Sequence, residues 1–457
     1  MQNKNQNQKM WTIKIFIFFS LFYFNCSFAQ TSKVKPPNIV FILVDDLGYG
    51  ECGFNGGKEI NTPQIDQLAN RGAILVNNYV QPVCSPTRAC LLTGRYPTKT
   101  GVYTIITPGA TWGLPLNETT LADALKAIGY QTAITGKWHL GEFEKAYQPN
   151  ARGFDKQYGH FFGSIDYFTH SRNDQLDWYR NGIALKEEGY STHLITKEAC
   201  NIIETSDKNK PLFLYIPFNG VHAPYQVPEQ YTKAYQHLKG NRQKLAGMLS
   251  AVDEAIGKII LAIDKAGIRD NTLIIFSSDN GAPPPGDNTP LRDFKATVYE
   301  GGIKGASFVN WPGHVPSGIH ITEPMHIVDW YPTLINLAGG KIKQPTTIDG
   351  KDVWPMITQN KQSPHDAILS ISNRGPVIAA IRMDNWKLIL LNADSTAQKN
   401  KAFSKYESIA LFNLLADPSE TKNLAQQYPE RVKKMRKRLT EMLKDAAPFN
   451  ARANDVE

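Results

Sequence analysis

Asn38-Ile39-Val40-Phe41-Ile42-Leu43-Val44-Asp45-Asp46 is the stretch on which the fold turns. Its apolar residues follow one another without alternation, which is the pattern of a strand buried on both faces, and the run stops at two acids. Three further runs behave alike. Gln131-Thr132-Ala133-Ile134-Thr135 leads into Gly136-Lys137-Trp138-His139, and Pro211-Leu212-Phe213-Leu214-Tyr215-Ile216 leads into Asn219-Gly220-Val221-His222. Thr272-Leu273-Ile274-Ile275-Phe276-Ser277 leads into Ser278-Asp279-Asn280-Gly281. Helical patterns lie between them: Thr62-Pro63 to Gly72, Thr120 to Gly129, and Leu245, Met248, Leu249, Val252, Ile256, Ile259 and Ile263 at three-and-four spacing up to Gly267. This alternation predicts an α/β fold with a mostly parallel sheet flanked by helices. Ligands in open parallel sheets bind beyond the carboxyl ends of the strands. Asp45, Asp46, Lys137, His139, His222, Asp279 and Asn280 should therefore meet in one crevice.

Beyond a helix from Asp329 to Gly339 the pattern changes. Ile378-Ala379-Ala380-Ile381-Arg382 and Trp386-Lys387-Leu388-Ile389-Leu390 read as a hairpin, Ala410-Leu411-Phe412-Asn413-Leu414 as a further strand, and Pro429 to Ala446 as a closing helix. A catalytic domain over residues 30–370 and a smaller C-terminal α+β subdomain over 371–457, a small antiparallel sheet plus a terminal helix, are expected. No internal repeat is present.

The 457-residue chain opens with Lys4, Lys9 and Lys14, an apolar run from Ile15 to Phe24, and Ser27-Phe28-Ala29. This is the form of a secretory signal peptide over residues 1–29, cleaved after Ala29, and it predicts export to the periplasm or the medium. Cys26 raises a lipid anchor as an alternative, but Phe24-Asn25 before it match a lipoprotein signal poorly. No later run is apolar enough to cross a bilayer, so stable membrane insertion is not expected. With Cys26 lost with the leader and Cys84 set aside for the chemistry read below, Cys52, Cys90 and Cys200 remain, an odd number that argues against a disulfide scaffold. The formal charge of +8 falls to +5 when the three leader lysines depart. That excess suits a polyanionic partner, and no nucleic-acid partner is expected.

The chemistry centres on Cys84-Ser85-Pro86-Thr87-Arg88-Ala89-Cys90-Leu91-Leu92-Thr93-Gly94-Arg95. Pro86 suits a first helical turn and Gly94 a helix exit, which places Cys84 near the positive end of a helix dipole. Arg88, one turn on, can point its fork toward whatever Cys84 holds. Asp45, Asp46, Asp279 and Asn280 offer only oxygen donors, so a metal among them should be a hard cation, with calcium favoured over magnesium. Taken singly, acids at a strand end can be caps, His139 a satisfied structural histidine and Lys137 a surface lysine.

Cys-x-Pro-x-Arg followed by Leu-Thr-Gly-Arg resembles the signature of the type I, formylglycine-dependent sulfatases. Gly136-Lys137-Trp138-His139-Leu140-Gly141, Val221-His222-Ala223-Pro224, and Phe294-Lys295 before Tyr299-Glu300-Gly301-Gly302 resemble further motifs of that family. The likeness runs from Pro37 to the final helix. It is strongest to the arylsulfatase B type, the N-acetylgalactosamine 4-sulfatases, through the segments 226–231, 349–354 and 385–388. It departs between Thr104 and Leu114 and between His160 and Tyr190, and the disulfides of the animal enzymes have no cysteines here.

The resemblance implies an alkaline-phosphatase-like fold and an arylsulfatase-like sulfuric ester hydrolase acting on sulfated carbohydrate, of glycosaminoglycan or algal type. It implies that a formylglycine-generating or anaerobic sulfatase-maturing enzyme oxidises Cys84 to formylglycine. It also implies one Ca²⁺ per chain on Asp45, Asp46, Asp279, Asn280 and the modified Cys84. Arg88, Lys137, His139, His222 and Lys295 would be catalytic. Lys137, His222 and Lys295 would touch substrate, and His170 and His193 lie where the family varies its substrate pockets. The implied route is a hydrated aldehyde attacking sulfur with Asp279 as base, a sulfo-enzyme, protonation of the leaving alcohol by His222 or Lys295, and release aided by His139. Two other readings make contrary predictions. A phosphoesterase of the same superfamily would hold two zinc ions, and a non-catalytic glycan binder would release no sulfate.

Overall fold

The computed structural model of the chain describes residues 35–372, 378–391 and 408–447. The leader, with Cys26 and Ala29, lies outside the described residues. Strand β1 (Asn38–Val44) pairs in parallel on both sides, with the strands that become β4 (Leu212–Phe218) and β5 (Thr272–Ser278). β2 (Gln131–Lys137) lies beside β4 and β3 (Lys156–His160) beside β2, again in parallel. These five are the middle of a ten-stranded sheet. Beyond β5 the segment Ser307–Asn310 runs antiparallel, and beyond β3 a short antiparallel pair, Tyr179–Arg180 and Ile183–Ala184, closes the other edge. The sequence pattern did not announce these edges, because segments of two to four residues show no period.

The unalternating apolar runs have the expected cause. Ile39, Phe41 and Leu43 enter one core, and Val40, Ile42 and Val44 enter the other, all essentially without exposure. Burying each such side chain contributes about 1.5–3 kcal/mol. Helix Gly240–Lys265 covers the second face with Leu245, Met248, Leu249, Val252, Ile256, Ile259 and Ile263. Helix α1 (Cys84–Thr93) and helix Trp330–Leu337 cover the first.

Register then builds the crevice. Val44 is level with Phe218 on one side and Ser278 on the other. The chains therefore leave the sheet together: Asp45 N–H donates to Gly220 O (3.0 Å), Val221 N–H to Asp45 O (2.7 Å) and Asp279 N–H to Val44 O (3.2 Å).

A second, four-stranded antiparallel sheet follows: β6 (Ile368–Ser372), β7 (Ile378–Met383), β8 (Trp386–Leu391) and β9 (Ser408–Asn413). The expected hairpin is β7 and β8; β6 is an addition to the expected elements. Helix Pro429–Leu443 sends Met435, Leu439 and Leu443 into the first core. Among the described residues no helix is long and apolar enough to cross a membrane, and Cys52, Cys84, Cys90 and Cys200 are free thiols.

Candidate active site

Cys84 is the first residue of α1, which ends on Gly94 in the left-handed conformation (φ 70°) that glycine adopts without a Cβ penalty. The thiol is buried and its Sγ lies 3.6 Å from Asp45 Oδ1. Around it, the ends of the parallel strands deliver the groups the sequence pointed to. Lys137 Nζ donates to Asp45 Oδ2 (2.5 Å), and Lys295 Nζ donates to Asp46 Oδ1 (2.6 Å). Asn280 Nδ2 donates to the same Asp46 oxygen (2.7 Å), and Asp46 N–H donates to Asp279 Oδ1 (3.2 Å).

Arg88 differs from expectation in its aim. Its fork does not point at Cys84 but donates to Asp279 Oδ2 (2.8 Å) and to the Lys137 carbonyl (3.1 Å), so it fixes two strand ends against α1. Enclosure with Asp279 and Asp45 holds its guanidinium above its ordinary value even though burial opposes this. Three buried carboxylates thus face three cationic side chains. Burial pushes Asp45 upward, but Lys137, His222 and Arg88 more than offset it and hold the carboxyl below its usual range. Asp46 is lowered similarly, burial being outweighed by Lys295 and His222. Asp279 moves the other way, raised by burial and by the Asp45 charge.

The two histidines are held in defined tautomers by their backbone partners. His139 donates from Nε2 to Ile106 O (3.0 Å), which leaves Nδ1 buried with no hydrogen-bond partner and free to accept. Burial, with Lys137 and Arg88 nearby, holds this imidazole well below its ordinary pKa and therefore neutral. Its ring packs on Gly163, where a Cβ would come within 2.6 Å of Cε1 and Nε2. His222 donates from Nδ1 to Ala223 O (2.5 Å) and turns Nε2 to Asp46 Oδ2 at 3.6 Å. His222 and Lys295 are the partly open members, their side chains 22% and 11% exposed, whereas those of Lys137 and Arg88 are fully enclosed. Solvent reaches the cluster from their side. Asp46 (φ 58°) and His139 (φ 57°) are left-handed non-glycines. Such strain costs about 1 kcal/mol or more per residue and persists where the surroundings over-determine it.

The donor set fits a hard divalent cation. Asn280 Oδ1 is buried and has no hydrogen-bond partner among the described residues, and an orphaned oxygen beside carboxylates is what a cation of this class uses. Ligand-type atoms of Asp45, Asp46, Cys84 and His222 also fall within 4.8 Å of one another, which brings His222 to the same spot.

Burial pushes the Cys84 thiol up to about 12, against the pull of Lys137 and Lys295. A thiol in that state is not a thiolate near neutrality and is a poor nucleophile. Unmodified Cys84 in the folded protein is therefore expected to resist iodoacetamide at about pH 8 and to react once the chain is unfolded. Rapid labelling of the native protein at Cys84, read by peptide mass spectrometry, would contradict this.

His170 and His193 are not brought to the cluster. His170 is buried against Trp178 with its ring 4.5 Å away, and its Nε2 pairs with Gly189 O (3.0 Å). His193 pairs through Nε2 with the Tyr231 hydroxyl (2.9 Å). Other residues act on the site without having been singled out. Ser85 Oγ donates to His139 O (2.9 Å) and accepts from Ile106 N–H (3.2 Å), tying α1 to the backbone of His139 and to that of Ile106, whose carbonyl holds the imidazole. The Tyr167 hydroxyl lies 2.5 Å from Asn219 O and 2.7 Å from His222 O. These contacts run through backbone atoms of distant segments and leave no motif.

The chain matches the family model described as Sulfatase over residues 37–340, and that of the N-sulphoglucosamine sulphohydrolase C-terminal part over residues 293–446. It is 39% identical to mouse (Mus musculus) Arylsulfatase J, over 92% of this chain and 78% of that protein. Human (Homo sapiens) Arylsulfatase A is 30% identical, over 87% and 85%. The crystal structure of Ps i-CgsB in complex with k-i-k-neocarrahexaose superposes with a TM-score of 0.84 at 33% identity, covering 91% of this chain and 94% of that one. A family match across two thirds of the sequence, laid over strand ends that gather these groups about Cys84, establishes that the chain belongs to the sulfatase family and hydrolyses sulfuric esters.

Proposed function

We propose that the chain is an exported sulfatase, periplasmic or secreted after loss of residues 1–29, that removes sulfate from sulfated polysaccharides or oligosaccharides. It uses formylglycine at position 84 and one Ca²⁺. The mature protein divides into a catalytic part over 30–370 and a C-terminal part over 371–457. The observation that carries the reading is Cys84 itself, at the first turn of α1, enclosed with Asp45 beside its Sγ, where burial keeps its thiol protonated. Such a position suits a residue that is modified before it acts. The oligosaccharide held by Ps i-CgsB supports a glycan substrate.

The ligands we assign to calcium are Asp45, Asp46, Asp279, Asn280 and the oxygen that replaces Cys84 Sγ; bound there, the ion supplies positive charge for the sulfuryl oxygens. A hydrated aldehyde at position 84 supplies an oxygen nucleophile and a second hydroxyl through which sulfate can leave, which a thiol lacks. Around it the chain's own residues divide the work. To Asp279, its carboxyl raised by burial and by Asp45, we assign the proton of the attacking hydroxyl. Lys295, held protonated chiefly by Asp46 against the cost of burial, stays a fixed charge at the open side. His222 Nε2 faces the same opening and donates to the leaving alcohol from the imidazolium form, which burial opposes and the Asp46 and Asp45 carboxylates favour. His139 Nδ1, neutral and unpartnered, accepts the proton of the second hydroxyl. His170, paired with Gly189 O, and His193, paired with the Tyr231 hydroxyl, would meet the glycan, if at all, away from the ionic cluster.

Protein matured in a competent host and assayed on a panel of defined sulfated oligosaccharides should release inorganic sulfate, and elemental analysis should find about one calcium per chain. Two tightly held zinc ions with phosphate-ester turnover above sulfate-ester turnover would overturn the reading in favour of a phosphoesterase. Glycan affinity without sulfate release would overturn it in favour of a binder.

A further inference from the structure

Lys295 sits on a loop with no regular element of its own, between Gly281 and helix Glu300–Ile303. Asp293 (φ 70°) and Ala296 (φ 74°), on either side of it, are left-handed non-glycine residues, a conformation that holds only where the surroundings impose it. The catalytic part contributes backbone ties there, Lys295 N–H to Ala282 O (3.4 Å) and Ala296 N–H to Pro82 O (2.8 Å). Asn288 Nδ2 donates to Asp293 O (3.2 Å) and Gly301 N–H to Arg292 O (2.8 Å) within the same region, and further ties come from the C-terminal sheet and the turn after it. Ser372 Oγ, at the end of β6, donates to Ala296 O (2.7 Å), and Ser419 Oγ donates to Pro290 O (2.7 Å). Arg292 donates to Glu420 O (2.7 Å), and Glu420 Oε2 accepts the Glu300 N–H (2.6 Å).

Beneath the loop lies a buried ionic knot that the chemistry does not use. Lys387 of β8, almost wholly enclosed, pairs with Glu300 Oε1 (3.0 Å) and Glu420 Oε1 (2.8 Å). Glu300 Oε2 accepts from the Tyr79 hydroxyl (2.9 Å), which itself accepts from Arg382 of β7 (2.5 Å). Buried ion pairs are poor sources of stability, because desolvation offsets their attraction, and an apolar contact would join the two sheets at lower cost. An ionic knot fixes directions as well as contact. We propose that Lys387, Glu300, Glu420 and Ser372 are positioning residues that hold the loop so that Lys295 meets Asp46. The C-terminal sheet is thereby part of the catalytic apparatus although, among its described residues, none is assigned a contact with a reacting atom. This rests on the role given to Lys295 above.

A double-mutant cycle on the calcium-loaded enzyme tests it, with formylglycine content measured and equalised. Lys387→Met and Ser372→Ala are each made alone and in a Lys295→Ala background, and kcat and KM for sulfate release are recorded. Lys387→Met should lower kcat about tenfold and Ser372→Ala about threefold, with KM changing less, since a displaced catalytic group costs mainly turnover. In the Lys295→Ala background neither should lower kcat further. A folded variant with wild-type kcat would overturn the proposal, as would the same fold-losses recurring undiminished without Lys295, the mark of general structural damage. Should Lys387→Met fail to fold, Ser372→Ala, which removes one hydroxyl, decides alone. If Lys295→Ala by itself leaves kcat unchanged, the role given to Lys295 fails first and this proposal with it.

Discussion

Cys84→Ala is expected to abolish sulfate release while leaving the protein folded. Loss of a nucleophile that acts with its neighbours as a unit costs roughly 10⁶-fold in turnover, which puts the variant below detection in an ordinary assay. The fold should survive, because Cys84 makes one weak polar contact, to Asp45, while α1 is anchored by its own turns, by Arg88 and by Ser85. In the wild-type protein from a competent host, the peptide carrying position 84 should be lighter than its cysteine form by the difference between thiol and aldehyde. Alanine removes both the thiol and the site of modification, so it tests the residue whatever its chemical state. Cys84→Ser is a weaker test, because some maturation systems also oxidise serine. Appreciable turnover in a homogeneous, folded Cys84→Ala protein would remove the basis of the mechanism.

The sequence carried much of this site because the groups concerned sit at strand ends and helix starts, where local pattern and chemistry coincide. Val44 into Asp45-Asp46 and Ser278 into Asp279-Asn280 are legible since parallel strands must end level and their ends must bear function. Arg88 was legible as a residue but not in its aim. Spacing along α1 says which face it occupies, whereas the partner it finds there, Asp279, is almost two hundred residues away in sequence. Tyr167 and Ile106 were invisible for a stronger reason: they act on His222 and His139 through backbone carbonyls, which any sequence possesses. The edge strands escaped because they are too short for a period. β6 escaped because Ile368-Leu369-Ser370-Ile371-Ser372, buried throughout, offers five residues of mixed polarity and no turn signal at its start. The pairing of Lys387 with Glu300 and Glu420 joins segments that no local pattern relates.

Lys137→Ala and Lys295→Ala should each lower kcat by roughly 10²–10³-fold with a smaller change in KM, the usual loss when one fixed charge donor is removed from a water-poor site. The two lysines differ in setting. Lys137 is fully enclosed against Asp45, and Lys295 stands at the open side against Asp46. If their work were only to draw in an anionic ester, the enclosed one would matter little and the open one would act through KM, since uniform attraction lowers the ground state and the transition state together. On the proposed mechanism, charge that accumulates on the sulfuryl and bridging oxygens as the bond breaks is instead met by ammonium groups already in place, and that stabilisation would appear in kcat. Removing Lys137 also leaves Asp45 without its nearest cation in a buried cluster, so the variant must be shown to be folded and fully modified before its kinetics are read. Arg88→Ala should be worse than either, because it frees Asp279 and loosens the end of β2, and because, on the proposed maturation of Cys84, Arg88 would belong to the motif read by the modifying enzyme. Fully modified lysine variants that show only a higher KM would make these residues steering charges, and the catalytic roles assigned to them would be wrong.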